Sequence, residues 1–188
     1  TFGRPEYRFP PAAEVWKAVI RFCREAIEAD ATPILLGYSL GKAQELLRGL
    51  DGTGLPILLH HAVHELTRIH EEFGQVFPNH RKLEGDALSD HVVIAPPMAK
   101  MHFVPRGAGS ASPGRESGAR VTRPSERTSA PRQDSEVLPR KVRSAVATGW
   151  ALDSSCRYRY GTDAAFPLSD HADFPELLEF VKRVAPKR

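Results

Sequence analysis

Apolar residues fall into two alternating patterns along the chain. In one they recur at helical spacing. Over 11–29, Val15, Val19, Phe22 and Ala26 form a stripe that Trp16, Ile20, Cys23 and Ile27 widen. Pro10 and Pro11 open this helix, as proline suits the first helical position. A second helix is expected from Gly41 to about Leu50, stopped by Asp51-Gly52-Thr53-Gly54. A third runs from His61 to Phe73, with Ala62, Leu66, Ile69 and Phe73 expected inward. The last carries Phe174, Leu177, Leu178 and Val181 at i, i+3, i+4 and i+7. In the other pattern short apolar runs stand unbroken: Ile34–Leu36, Pro56–Leu59, His91–Ala95 and the lead-in Phe166–Leu168. Such runs suit strands covered on both faces. Lys141–Ala147 alternates enough for a strand, and Arg157–Tyr160 reads as an edge strand. Strands alternating with helices at this spacing predict an α/β fold with a parallel sheet.

Composition changes the picture in one place. Residues 106–138 are Arg, Ser, Gly, Pro, Glu and Ala with almost no core formers, and read as a disordered insert. Elsewhere 41% apolar and 26% charged residues are ordinary for a globular chain. A net charge of +3 and a pI near 9.0 are compatible with a phosphate-bearing partner without requiring one. Two cysteines make neither a disulfide framework nor a metal cluster, so a reduced, cytoplasmic setting is the default. No apolar run has the length of a membrane span.

The chemistry concentrates near the C-terminal helix. Asp170 is expected to cap it, with Asp173 in its first turn. His171 then stands at a strand-to-helix junction between two carboxylates, where an imidazole can carry a proton near neutral pH. The same residues also fit a plain helix N-terminus with an incidental histidine. Gly37-Tyr38-Ser39-Leu40-Gly41 fits the nucleophile elbow of serine hydrolases, with Asp163 or Asp170 and then His171 downstream. No oxyanion loop precedes it. The same segment offers an anion site, with Ser39 and Lys42 beside helical N–H groups. His60, His61, His64 and His70 invite a zinc reading, but the order of residues favours a solvated face. Ser89-Asp90-His91 runs straight into a strand. Arg157 and Arg159 alternate with Tyr158 and Tyr160, as on a base-stacking surface or an edge strand.

Ser169-Asp170-His171-Ala172-Asp173-Phe174 resembles motif B of the metallo-β-lactamase/β-CASP nucleases. Thr1–Tyr7, Gly37–Leu46 and Ala147–Ala151 fit the same superfamily in order, closest to its bacterial DNA ligase-associated exonuclease branch. The resemblance implies a three-layer Rossmann-like β-CASP domain over 1–165. It also implies a first returning helix of the metallo-β-lactamase fold over 166–188. It implies part of a zinc-dependent nucleic-acid phosphodiesterase, in DNA repair or RNA processing, that clamps DNA or RNA. By that resemblance His171 is the catalytic acid, and Ser39, Lys42 and Ser169 hold substrate. Zinc belongs to the parent protein: the family's His-x-His-x-Asp-His motif is nowhere in the sequence. The chain opens on Thr1 where the family places an acidic motif, so it reads as a piece whose missing partner is the metallo-β-lactamase domain. A non-catalytic nucleic-acid-binding or scaffold module, and a serine hydrolase with Ser39 as nucleophile, are the competing readings.

Overall fold

The computed structural model describes residues 2–84, 90–102 and 141–186; the expected insert over 106–138 lies outside them. Five α-helices run Ala12–Glu28 (α1), Lys42–Gly49 (α2), His61–Glu72 (α3), Cys156–Arg159 (α4) and Phe174–Val184 (α5). The strands are Ala31–Leu36 (β1), Ile57–Leu59 (β2), His80–Lys82 (β3), Val92–Ala95 (β4), Lys141–Ala147 (β5) and Ala164–Phe166 (β6). Two short 3₁₀ turns, Pro97–His102 and Gly149–Leu152, follow β4 and β5.

The six strands form one sheet in the order β3-β2-β4-β1-β5-β6, and every neighbouring pair is parallel. β1 lies near its middle and is buried at all six positions. Pro33 is tolerated there because β4 pairs with β1 only from Ile34 onward. Successive residues feed two cores, as the period of two requires. Leu35, Val92, Ile94, Ala145 and Ala147 pack beneath α1, α2 and α3. Ile34, Leu36, Val93, Ala95 and Val146 face the opposite layer, where Ala99 of a 3₁₀ turn and Cys156 of α4 cover them. The α/β expectation therefore holds, as a parallel sheet with helical layers on both sides.

Four local expectations are corrected. β3 was not anticipated: His80-Arg81-Lys82 has no apolar signal, and its backbone pairing with β2 alone makes it a strand. Arg157–Tyr160 is helical rather than an edge strand. The Asp153 carboxylate accepts the Ser155 N–H (2.8 Å), starting a turn that buries Cys156. On α3 the buried positions are Val63 and Thr67, not Leu66, Ile69 and Phe73. Thr67 can be buried because its hydroxyl donates to Val63 O (2.8 Å) and accepts from Gln44 (3.0 Å). That rotation turns His64 inward, so its side chain is only 20% exposed and packs edge-on against His80. The solvated face expected for the histidines thus does not extend to His64.

Burial pushes the Cys23 thiol up to about 12. The thiolate is the reactive form. Cys23 should therefore resist a thiol reagent at pH 8 in the native protein and react only after denaturant is added, as a spectrophotometric labelling time course would record.

Among the described residues no helix is long and apolar enough to cross a membrane.

Candidate functional site

Ligands of open α/β sheets bind beyond the carboxyl ends of the strands, where the chain's direction across the sheet reverses. Here that point lies between β1 and β5. The chain leaves β1 towards β2 on one side, and leaves β5 towards β6 on the other. A crevice of about 250 Å³ opens at this point. Tyr38, Leu40 and Lys42 follow β1, Thr148, Gly149 and Trp150 follow β5, and Ser169, Asp170 and His171 follow β6; all line it.

The floor of the crevice is fixed by a short polar network. Gly41 has φ +86°, a conformation glycine adopts without strain, and its N–H donates to Gln44 Oε1 (2.7 Å). The buried Gln44 amide in turn donates to Ser39 O (3.1 Å) and Thr67 Oγ1 (3.0 Å). These bonds start α2 and leave Lys42 93% out of solvent, its ammonium paired with Glu45 and 3.7 Å from Asp170 Oδ1. Asp170 is itself exposed. A hydrogen bond from its own backbone N–H, then Lys42 and His171, hold its carboxyl below the usual range. It therefore stays ionised at neutral pH, and its attraction for Lys42 fades only as pH falls through that lowered value.

His171 is exposed, and its backbone N–H donates to Ser169 Oγ (3.0 Å). Phe2 packs against the imidazole. Its ring is nearly buried and meets Tyr7, Phe9, Trp150 and His171 edge-on, at centroid distances of 5.5, 5.1, 5.2 and 6.5 Å. The Phe2 N–H also donates to Ala172 O (3.0 Å), lashing the N-terminal segment to the His171 loop. Gly149 makes room for this ring: a Cβ there would lie 2.4 Å from it.

The capping assignment reverses. Asp173, not Asp170, caps α5: it accepts the Glu176 N–H (3.0 Å), and Glu176 answers to its N–H (3.1 Å). Its second oxygen accepts the Phe9 N–H (2.9 Å). Asp173 is spent on structure, and Asp170 is the carboxylate whose charge His171 stabilises. The D-x-x-E spacing was the available signal. Asp173→Ala removes both bonds. It should destabilise α5 by about 1–2 kcal/mol, seen as faster amide exchange at Glu176 and Leu177.

Of the residues singled out from sequence, Lys42, Ser169 and His171 converge on the crevice. Ser39 is set back, its carbonyl engaged by Gln44, and does not line it. Asp163 braces β5, accepting the Ser144 N–H (2.7 Å). Phe2, Tyr38 and Trp150 were not assigned to the site individually; only aromatic residues beside the glycine turns hinted at them.

No protein-family model matches the chain. Over its whole length it is 44% identical to a protein of Opitutus terrae (strain DSM 11246 / JCM 15787 / PB90-1) named "Probable DNA ligase". The chain is similar to one part of that protein. It spans 15% of the relative's length.

Among the described residues no group of three or more His, Cys, Asp or Glu side chains is placed to hold a metal ion. His60 Nδ1 instead accepts the Ala62 N–H (3.3 Å) at the start of α3, and His60 and His61 stack on each other. Zinc therefore does not fit these residues as ligands.

Proposed function

We propose that the chain is the substrate-clamping part of a nucleic-acid phosphodiesterase, of the metallo-β-lactamase/β-CASP type that its motifs resemble. The reading rests on one observation: Lys42 meets Ser169 and His171, more than a hundred residues further along the chain, in one crevice at the sheet's switch point. A relative named as a probable DNA ligase supports a place in DNA metabolism. In this reading residues 1–165 form the clamp and 166–188 lead into a further domain. That domain holds the zinc and covers α5, whose Leu178, Val181 and Val184 are about half exposed. Such an uncovered apolar stripe fits an interaction surface.

The chain's own steps follow from its donors. Lys42 supplies positive charge, and the Ser169 O–H donates to a phosphoryl oxygen. His171 delivers a proton to the departing oxygen. Asp170 opposes the approach of a phosphate to Lys42 but is exposed enough to swing aside.

Binding of a fluorescent single-stranded oligonucleotide to the chain tests this. Lys42→Ala should weaken it several-fold. Asp170→Asn should tighten it about five-fold, the worth of one screened like-charge repulsion near 4 Å. Insensitivity to both substitutions would remove the clamp reading.

A further inference from the structure

Two large aromatic rings stand open in the crevice although folding gives no reason to expose them. Tyr38 is 62% exposed and Trp150 49%, and both line the space above Lys42, Ser169 and His171. Neither is loose. The Tyr160 hydroxyl lies near that of Tyr38; burial, and then this neighbour, pushes the Tyr160 phenol up. Trp150 rests edge-on against Phe2, and its backbone N–H donates to Thr148 Oγ1 (3.4 Å). Both side chains stay largely open to solvent beside these neighbours. The crevice, at about 250 Å³, is smaller than a drug-sized pocket. Rigid aromatic faces beside a phosphate-holding cation are what an unstacked base needs, because every base presents a π-face.

We propose that Tyr38 and Trp150 form a stacking platform for an unpaired base of the strand whose phosphate meets Lys42, Ser169 and His171. This rests on the nucleic-acid reading above and adds a selectivity to it: a base must leave its partner before the adjacent phosphate can reach His171. The two rings are positioning residues. Lys42 attracts any phosphate, whereas Tyr38 and Trp150 respond only to strands that carry free bases.

The test compares three DNA probes at low salt: a single strand of about ten nucleotides, the same backbone with abasic sites, and the blunt duplex. The chain should bind the base-bearing strand about 5- to 150-fold more tightly than the abasic one, with quenching of Trp150 fluorescence, and should bind the duplex no better than the abasic strand. Tyr38→Ala and Trp150→Ala should each erase most of that ratio, and Tyr38→Phe should keep it. Lys42→Ala should weaken base-bearing and abasic strands alike. A wild-type ratio near one, or a ratio that survives both alanine substitutions, overturns the platform while a Lys42 effect leaves the clamp standing. Binding of neither single strand overturns both.

Discussion

His171→Ala should lower phosphodiester cleavage by the complete polypeptide about 10²- to 10⁴-fold, with oligonucleotide affinity nearly unchanged. The argument is positional. His171 lines the crevice, exposed, its backbone N–H fixed by Ser169 and its ring set against Phe2. It contributes no buried packing whose loss would unfold the site, so a deficit in turnover reports chemistry. The leaving group supplies the control. An alkoxide oxygen needs a proton as it departs, whereas a p-nitrophenolate leaves without one. If His171 delivers that proton, the loss should shrink strongly on a p-nitrophenyl phosphodiester. An equal loss on both substrates would show that the imidazole positions the phosphate instead. Because Phe2 and the Ala172 carbonyl hold the same loop, amide exchange there should not change in the variant.

The second large effect is on stability. Leu46→Ala should cost about 2–5 kcal/mol. Leu46 is fully buried in the core beneath α1 and α3. Its Cδ1 would lie 3.0 Å from a Cβ at Gly37, so it also props the turn that presents Tyr38 and Lys42. A loss of this size is a large fraction of the 5–15 kcal/mol typical of a domain. In urea the midpoint should fall with little change in slope. Leu46→Met, which nearly conserves volume, should cost less than about 1.5 kcal/mol. A Leu46→Ala cost below about 1 kcal/mol would mean that α2 does not seal this core as described.

Much of the fold was legible because burial on a sheet or beneath a helix leaves a period in the sequence. The buried stripe of α1, the apolar runs of β1, β2 and β4 and the alternation of β5 all stand in the sequence. The misses share a cause: a polar group satisfied by a hydrogen bond that hydrophobic periodicity does not register. Thr67 scores as exposed until Gln44 supplies its hydrogen bond. Arg157–Tyr160 alternates like a strand until Asp153 starts a helical turn. Asp170 and Asp173 are equivalent caps on paper, and the Phe9 N–H favours the second. On α5 the stripe was read correctly, yet none of its residues is buried. Periodicity shows which face seeks cover, not what covers it.

By itself the sequence determined the layered α/β architecture, the helix and strand faces set by one residue's immediate neighbours, and the candidates Lys42, Ser169 and His171. Only the tertiary structure decided that these meet in one crevice, that Ser39 stands outside it, and that Phe2, Tyr38 and Trp150 shape it. The physical reason is that hydrophobic period is a local property of the chain. Convergence at a switch point depends on strand order, which pairs β1 with β5 across more than a hundred intervening residues.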